Sequence, residues 1–255
     1  MKNFWVISKA ILIVGVLVVI KLIIDYFKLD VIVPSPVITA LVAGVIFTLA
    51  VLFSGVLSDY KESEKIPGEL AAAIRNLYKD IKVATVTHKD LTSDMQDHIK
   101  QLLKVMNANF RHNEWKLRDI NPAIDRIDED IEHLAADGIA PAFITKIRGE
   151  MSNIEKLSYR IDTIMETNFL PAAYIIAIIA TAAVILTLFF TKMDPYYEAL
   201  TLFGSVTFVL IGMLLLIQDV DNPFEVGRKS SAGVDLGILF KLEEQLENRS
   251  NNSAI

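Results

Sequence analysis

The chain has 255 residues, of which 53% are hydrophobic and 22% are charged, and its formal net charge at pH 7 is -6. This negative balance, without any Lys/Arg cluster interleaved with aromatic residues, excludes a general nucleic-acid-binding protein. The sequence contains no Cys, which excludes disulfide bonds and thiolate chemistry. Two stretches, 4–56 and 169–217, carry few charges, whereas 59–166 is dense in Lys, Arg, Asp and Glu. The composition therefore changes along the chain.

Four apolar segments are long enough to cross a membrane, which takes about 20 residues in a helix. They run over about 4–24, 37–57, 170–190 and 200–217. Lys9 and Lys21 interrupt the first segment and no small-residue cleavage site follows it, so we interpret it as a retained span and not as a signal peptide. We expect Lys21 to reach the membrane interface and to pair with Asp25 one turn later. The sequence predicts four transmembrane helices arranged in two hairpins.

The distribution of Lys and Arg predicts the orientation of these spans. Basic residues lie before the first span, after the second and after the fourth: Lys2, Lys9, Lys61, Lys65, Arg75, Lys79, Lys82, Arg228 and Lys229. Because cytoplasmic flanks are enriched in Lys and Arg, we expect both termini to be cytoplasmic. Tyr26, Tyr196 and Tyr197 then lie at the outer interface.

The charged middle of the chain has apolar residues at helical spacing, such as Ile147, Ile154 and Ile161. Breaks are expected near 83–88, at Pro122 and over 137–141, where Gly138 suits a helix C-cap and Pro141 a first turn. This pattern predicts three or four amphipathic helices that extend the membrane helices into the cytoplasm. We divide the chain into hairpin 1 (1–58), a cytoplasmic helical region (59–168), hairpin 2 (169–219), and a cytoplasmic turn, helix and disordered tail (220–255).

One acidic stretch, 125–134, places Asp125, Asp128 and Glu132 on one helix face. A metal site in a helix bundle needs a matching motif on a facing helix, and the nearest candidate, Asp94 with His98, has a different spacing. The apolar face of the same stretch consists of Ile124, Ile127, Ile131 and Leu134. We interpret the acidic residues as a solvated face and predict no metal site.

Catalytic motifs are missing from the sequence. There is no glycine-rich phosphate loop and no nucleophile elbow, and the chain has only four His. We therefore predict that the protein is not an enzyme and has no cofactor.

The second span has two adjoining faces with different residues. Val37, Leu41 and Val45 lie four apart on one face, and the next face carries Ala40, Gly44 and Thr48. In an assembly of identical subunits around an axis, the small residues would allow close helix packing and the aliphatic ones would form rings that gate by dewetting. Alternatively, Val37, Leu41 and Val45 face lipid, and spacing alone leaves both interpretations open.

Several stretches carry recognisable motifs, above all QDVDNPFE (218–225) and GVIFTLAV (44–51). Together they resemble the bestrophins, which are pentameric ion channels, and the wider set of bestrophin-like membrane proteins. QDVDNPFE (218–225) resembles the family's Asn-Pro-Phe-Gly turn through Asp221, Asn222, Pro223 and Phe224. VDLGILFKLEEQLE (234–247) resembles the helix that follows this turn in bacterial members. GVIFTLAV (44–51) is similar to the family's pore-lining helix, and DYKESEKIPGEL (59–70) and LPAAY (170–174) resemble further family segments.

The resemblance implies an all-α, bestrophin-like membrane protein that forms a homopentamer in the lipid bilayer. It implies a passive channel for small inorganic ions, with anions such as chloride favoured, in a prokaryotic plasma membrane. By the same resemblance, Val37, Leu41 and Val45 form a hydrophobic neck above a vestibule built from 59–166.

The sequence departs from the family at several positions. The neck is aliphatic where the family is often aromatic, and Glu225 stands where Gly is usual. The acidic calcium clasp of animal members is replaced by Val226, Gly227, Arg228 and Lys229, so we predict no calcium clasp. The alternative is a non-conducting, membrane-anchored scaffold or sensor whose cytoplasmic helices bind a protein partner. A transporter ranks last because no Asp, Glu or Arg lies deep within a span.

Overall fold

The computed structural model describes residues 4–84, 89–166, 171–192, 194–221, 223–224 and 232–251. In chain order the helices in these ranges are α1 Trp5–Tyr26, α2 Pro36–Ser63, α3 Ile66–Ala84, α4 Lys89–Arg111, α5 Leu117–Ala136, α6 Pro141–Glu166, α7 Pro171–Phe189, α8 Tyr196–Val220 and α9 Gly237–Asn251. The only β pairing in the described ranges is an isolated parallel bridge between Ile32 and Thr191. The predicted all-α class is confirmed.

The chain forms two compact units. The first, which we call the membrane unit, comprises Met1–Tyr60, Asn168–Pro223 and Arg228–Gly233. The second, the bundle unit, comprises Lys61–Thr167, Phe224–Gly227 and Val234–Ile255.

Among the described residues, four helices are long and apolar enough to span a bilayer, and the membrane unit contains them: α1, α2, α7 and α8. This confirms the four predicted spans, although α8 begins at Tyr196 and not near residue 200. α1 and α7 each pack against α8. A buried cluster is contributed by α2, α7 and α8 and includes Leu49, Leu188 and Leu210. In this cluster the rings of Phe189 and Phe203 lie 5.1 Å apart.

The bundle unit consists of amphipathic helices that bury one face each. α3 packs against α4, α6 and α9, α4 against α5 and α9, and α5 against α6. The buried positions of α5 follow the helical spacing: Ile120, Ile124, Ile127, Ile131 and Leu134. Ile147, Ile154 and Ile161 of α6 are also fully buried, as their spacing predicts.

Two of the predicted breaks in this unit can be compared with the structure directly. Gly138 follows the end of α5 with φ +80°, and Pro141 is the first residue of α6, so the break at 137–141 is confirmed. The break at Pro122 is wrong, because Pro122 lies inside α5. Its side chain is exposed, and a solvent-facing position near the helix start lets water satisfy the carbonyl group that loses its partner. The break near 83–88 falls mostly on residues 85–88, which lie outside the described ranges.

Candidate functional site

Helix α2 has a buried side and an open side within the membrane unit. Val45, Leu49 and Val56 are 6%, 0% and 2% exposed, respectively. The open side is made of small and apolar residues: Val37, Ala40, Leu41, Gly44, Phe47, Thr48, Val51, Ser54 and Ser58. The Thr48 Oγ1 donates to the Gly44 carbonyl oxygen at 2.9 Å, so this hydroxyl is paired within the helix. No charged residue occurs between Pro36 and Ser58, so the open side is a continuous neutral surface.

The three residues expected to form a neck do not share one open face. Val37 is 76% exposed and Leu41 is 41% exposed, but Val45 is only 6% exposed. Each four-residue step turns the side chain by about 40° around the helix axis, because a helix has 3.6 residues per turn. Two such steps turn Val45 away from Val37 and into the buried cluster of the membrane unit.

The predicted packing residues Ala40, Gly44 and Thr48 all lie on the open side of α2. Phe47 and Val51 lie there too, 70% and 56% exposed, and were missed by the sequence reasoning. A seven-residue step drifts by only about 20° around a straight helix, so such a spacing stays on one face. The series Val37, Gly44, Val51 and Ser58 has this spacing and follows the open side, but its residue types do not distinguish it from other seven-residue series in α2.

A polar cluster joins the two connections at one end of the membrane unit. Ile32 donates its N–H to the Phe190 carbonyl and accepts from the Lys192 N–H, both at 2.8 Å. The Lys21 ammonium group donates to the carbonyl oxygens of Phe189 at 3.0 Å and of Thr191 at 2.9 Å. The Ile32 hydrogen bonds hold the chain before α2 against the segment after α7, and the Lys21 hydrogen bonds hold α1 against the end of α7.

Lys21 also forms an ion pair with Asp25, with its Nζ 2.7 Å from Oδ1, so the predicted pairing is confirmed. The expectation that Lys21 reaches the membrane interface stays a prediction. The residue is only 2% exposed, because protein groups enclose its ammonium group. The physical reason is the end of α7, whose last carbonyl groups have no partner inside the helix and accept from the ammonium group instead.

The structure describes three of the four residues of the predicted family turn. Asp221 is half-buried, and Pro223 and Phe224 are buried. In the bundle unit the Phe224 ring lies 5.9 Å from the Phe110 ring, so Phe224 is a core residue. Asn222 lies outside the described residues, as do Glu225 and the positions 226–229 at which the calcium clasp is predicted to be missing.

The acidic stretch of α5 lies beside two other helices. The His98 Nδ1 of α4 is 2.6 Å from the Asp130 Oδ2, which links α4 to α5. Burial raises the pKa of Asp128, as do the nearby carboxylates of Glu155, Asp125 and Glu132, whereas Arg148 acts in the opposite direction. In the part of the chain that the structure describes, no three His, Asp or Glu residues are grouped so that they could hold a metal ion.

The comparisons with known proteins identify the family. The family model of the Bestrophin-like domain matches residues 28–225, which include α2 to α8. The chain belongs to the Bestrophin-like family. This confirms the resemblance recognised in the sequence. A search of curated proteins finds no match for this Bestrophin-like protein.

Solved structures of a bacterial bestrophin homologue from Klebsiella pneumoniae have the same fold as this Bestrophin-like protein. A mutated form of the homologue superposes with a TM-score of 0.79 at 14% identity, covering 96% of this chain and 97% of the other. The structure phased with zinc gives a TM-score of 0.77 at 12% identity, covering 95% and 97% of the two chains. A second mutated form gives 0.74 at 12% identity, with 97% and 98% covered. The bestrophin-like fold class is therefore confirmed.

Proposed function

We propose that this Bestrophin-like protein is a passive ion channel, in which five copies surround an axis and present the open side of α2 to the pore. The neutral, small and apolar open side of α2 supports this proposal most directly. Only 11% of the most apolar window of this span is buried, compared with 28% for α7 and α8. An ion pathway needs no covalent chemistry, so the proposal includes no catalytic residue, cofactor or metal.

The narrowest part of the proposed pore is formed by Val37 and Leu41. Both side chains are open in the single chain, and five copies of each would form two aliphatic rings one helical turn apart. Such rings exclude water when narrow and conduct when wetted. Val45 supports the neck from behind by packing inside the membrane unit.

Contacts between neighbouring α2 helices are proposed for Ala40, Gly44 and Thr48. Small residues let helix backbones approach closely, and all three of these lie on the open side. Thr48 Oγ1 already donates to Gly44, which removes the cost of bringing an unpaired hydroxyl into a helix contact.

Anion permeation is proposed from the family alone. Because α2 has no charged residue from Pro36 to Ser58, no ring of charged side chains in that stretch sets the sign of the permeant ion. Backbone dipoles and side chains elsewhere along the pathway would then determine selectivity.

The proposal is tested by flux through liposomes that contain the purified full-length protein. Wild-type protein should dissipate a chloride gradient, and Leu41→Ala should raise the flux several-fold because the smaller side chain widens the ring. Leu12→Ala is the matched control, since Leu12 lies on α1 and is 68% exposed. If neither wild type nor Leu41→Ala passes ions, the channel proposal fails and the scaffold alternative replaces it.

Selectivity and subunit number need separate measurements. The reversal potential in asymmetric potassium chloride should follow the chloride gradient, whereas a value that follows potassium would contradict anion selectivity. The detergent-corrected mass should equal five chains of 28.5 kDa each. The mass of a single chain would contradict the proposed neck, because the neck needs several copies of α2 around one axis.

We also propose that both termini are cytoplasmic. The chain lacks Cys, so a single introduced Cys reports its own accessibility without background. Lys28→Cys, between α1 and α2, should react with a membrane-impermeant maleimide added to intact cells. Lys79→Cys, exposed on α3, should react only after the membrane is opened. The reverse labelling pattern would contradict the proposed topology and place both termini outside.

A further inference from the structure

An open groove of about 880 Å³ lies between α2 and α8 in the membrane unit. Its walls are aliphatic: Ile38, Val42 and Ile46 of α2 face Leu202 and Val206 of α8. The three isoleucine and valine residues of α2 are only half-buried, so the helix does not close against α8 along this length. The groove is distinct from the open side of α2 that carries Val37 and Val51.

The length of the groove along α2 matches the thickness of the hydrocarbon layer of one bilayer leaflet. Its wall on α2 runs from Ser35 to Ile46, and eleven residues of helix rise about 16 Å. Half of a hydrocarbon core of about 30 Å is about 15 Å. The groove therefore begins at the connections before α2 and after α7 and ends near the middle of the membrane.

The mouth of the groove carries both signs of charge. Lys192, Asp194 and Glu198 line it and are exposed. In the ranges that the structure describes, none of these three side chains forms an ion pair. Two carboxylates and one ammonium group suit a head group that combines a primary amine with a phosphate. An anionic head group without an amine would be repelled by the excess negative charge.

We propose that this groove binds one acyl chain of a zwitterionic phospholipid of the phosphatidylethanolamine type. The acyl chain lies between Val42 and Val206, the amine donates to Asp194 and Glu198, and the phosphate accepts from Lys192. Burying the chain removes the aliphatic walls from contact with mobile lipid and fills a gap that α2 and α8 leave open. The bound lipid then supports α2 from the side opposite its open face.

The test uses full-length protein in vesicles of phosphatidylethanolamine and phosphatidylglycerol, with a trace of either lipid carrying a diazirine on its acyl chain. After illumination, mass spectrometry maps the labelled residues. The phosphatidylethanolamine probe should label the groove walls in preference to the exposed face of α1, and the phosphatidylglycerol probe should not show this preference. Val42→Trp, which fills the groove, should abolish the preferential labelling, whereas Leu12→Trp on α1 should leave it unchanged.

A second variant keeps the groove open and changes only its mouth. Asp194→Asn combined with Glu198→Gln should lower the preference for the ethanolamine probe by about two- to fivefold, the effect of an exposed charge pair. Uniform labelling of all exposed apolar faces would overturn the proposal, because it indicates only the surrounding lipid shell. Absence of labelling in the groove would also overturn it, since a second copy of the chain would then be the occupant. Neither result depends on ion conduction.

Discussion

The membrane unit and the bundle unit use the same aliphatic residues in opposite ways. Ile99 and Ile127 in the bundle unit are completely buried, whereas Ile11 and Ile176 in the membrane unit are 58% and 62% exposed. Water drives apolar side chains together in the first case, but lipid tails are as apolar as the side chains and exert no such force in the second. Exposure of an isoleucine in the membrane unit is therefore not a defect of packing.

The polar contacts of the two units differ in the same way. In the membrane unit the buried Lys21 has only protein partners, because the hydrocarbon supplies no alternative. In the bundle unit the polar contacts lie mostly at the edges of the core, as with the Arg160–Glu62 pair at 2.7 Å. The stability of each unit can therefore be tested by a substitution at the kind of contact that stabilises it.

The largest effect is expected from Lys21→Met, which leaves Asp25 as an unpaired carboxylate and two carbonyl groups without a donor. Removing one partner of a buried ion pair costs about 3–5 kcal/mol. Thermal unfolding of the purified protein should show the loss, and Lys9→Met, at an exposed position of α1, should show little. Replacing both partners, Lys21→Met with Asp25→Leu, should recover part of the stability. Equal stability of the wild type and the Lys21→Met variant would contradict this role.

Ile127→Ala and Ile11→Ala make the same chemical change in the two units. Ile127 is fully buried in α5, and truncating such a side chain costs about 2–5 kcal/mol through lost contacts and the remaining cavity. Ile11 faces out of α1, so its truncation should change the unfolding free energy little. Denaturant unfolding of each variant measures both values. Similar losses in the two variants would mean that Ile11 is covered in the assembled protein.

The bundle unit could largely be predicted from the sequence because water imposes a contrast between its helix faces. In α5 the isoleucines at helical spacing are all buried, and Gly138 and Pro141 mark the ends of helices as expected. The predicted break at Pro122 was wrong because the prediction did not take into account that Pro122 lies close to the start of α5. A position near the start loses only one hydrogen bond, and an exposed carbonyl group recovers it from water.

The membrane unit could be predicted in its spans but not in the faces of its helices. In α2 nearly every residue is apolar or small, so hydropathy does not distinguish Val37, which is open, from Val45, which is buried. The partners of Lys21 could not be predicted either, because they lie 168 and 170 residues away at the end of another helix. Both features depend on tertiary contacts that local spacing does not encode.

A smaller effect is expected where α9 docks in the bundle unit. The Glu243 Oε2 accepts from Asn107 Nδ2 at 2.8 Å and from Arg111 Nη2 at 2.7 Å. Glu243→Ala removes both hydrogen bonds of a largely buried carboxylate and should cost about 1.5–3 kcal/mol. Hydrogen exchange of α9 amides should become faster, whereas the neighbouring exposed Glu244→Ala should leave it unchanged. Unchanged exchange in the Glu243 variant would show that apolar contacts alone hold α9.

The smallest effect concerns Asp128, whose pKa is raised from 3.8 chiefly by burial and then by nearby carboxylates. Well below pH 3.8 the carboxyl group is protonated in both the folded and unfolded states, so it adds no pH dependence there. As the pH rises above this value, the unfolded state ionises first and the bundle unit loses stability until the folded group has also ionised. At neutral pH the full penalty is present, and Asp128→Asn should therefore stabilise the protein slightly. The gain should shrink as the pH falls through 3.8, whereas Glu129→Gln at the exposed next position should leave the stability at pH 7 unchanged. A destabilised Asp128→Asn variant at pH 7 would mean that the attraction of Arg148 outweighs burial.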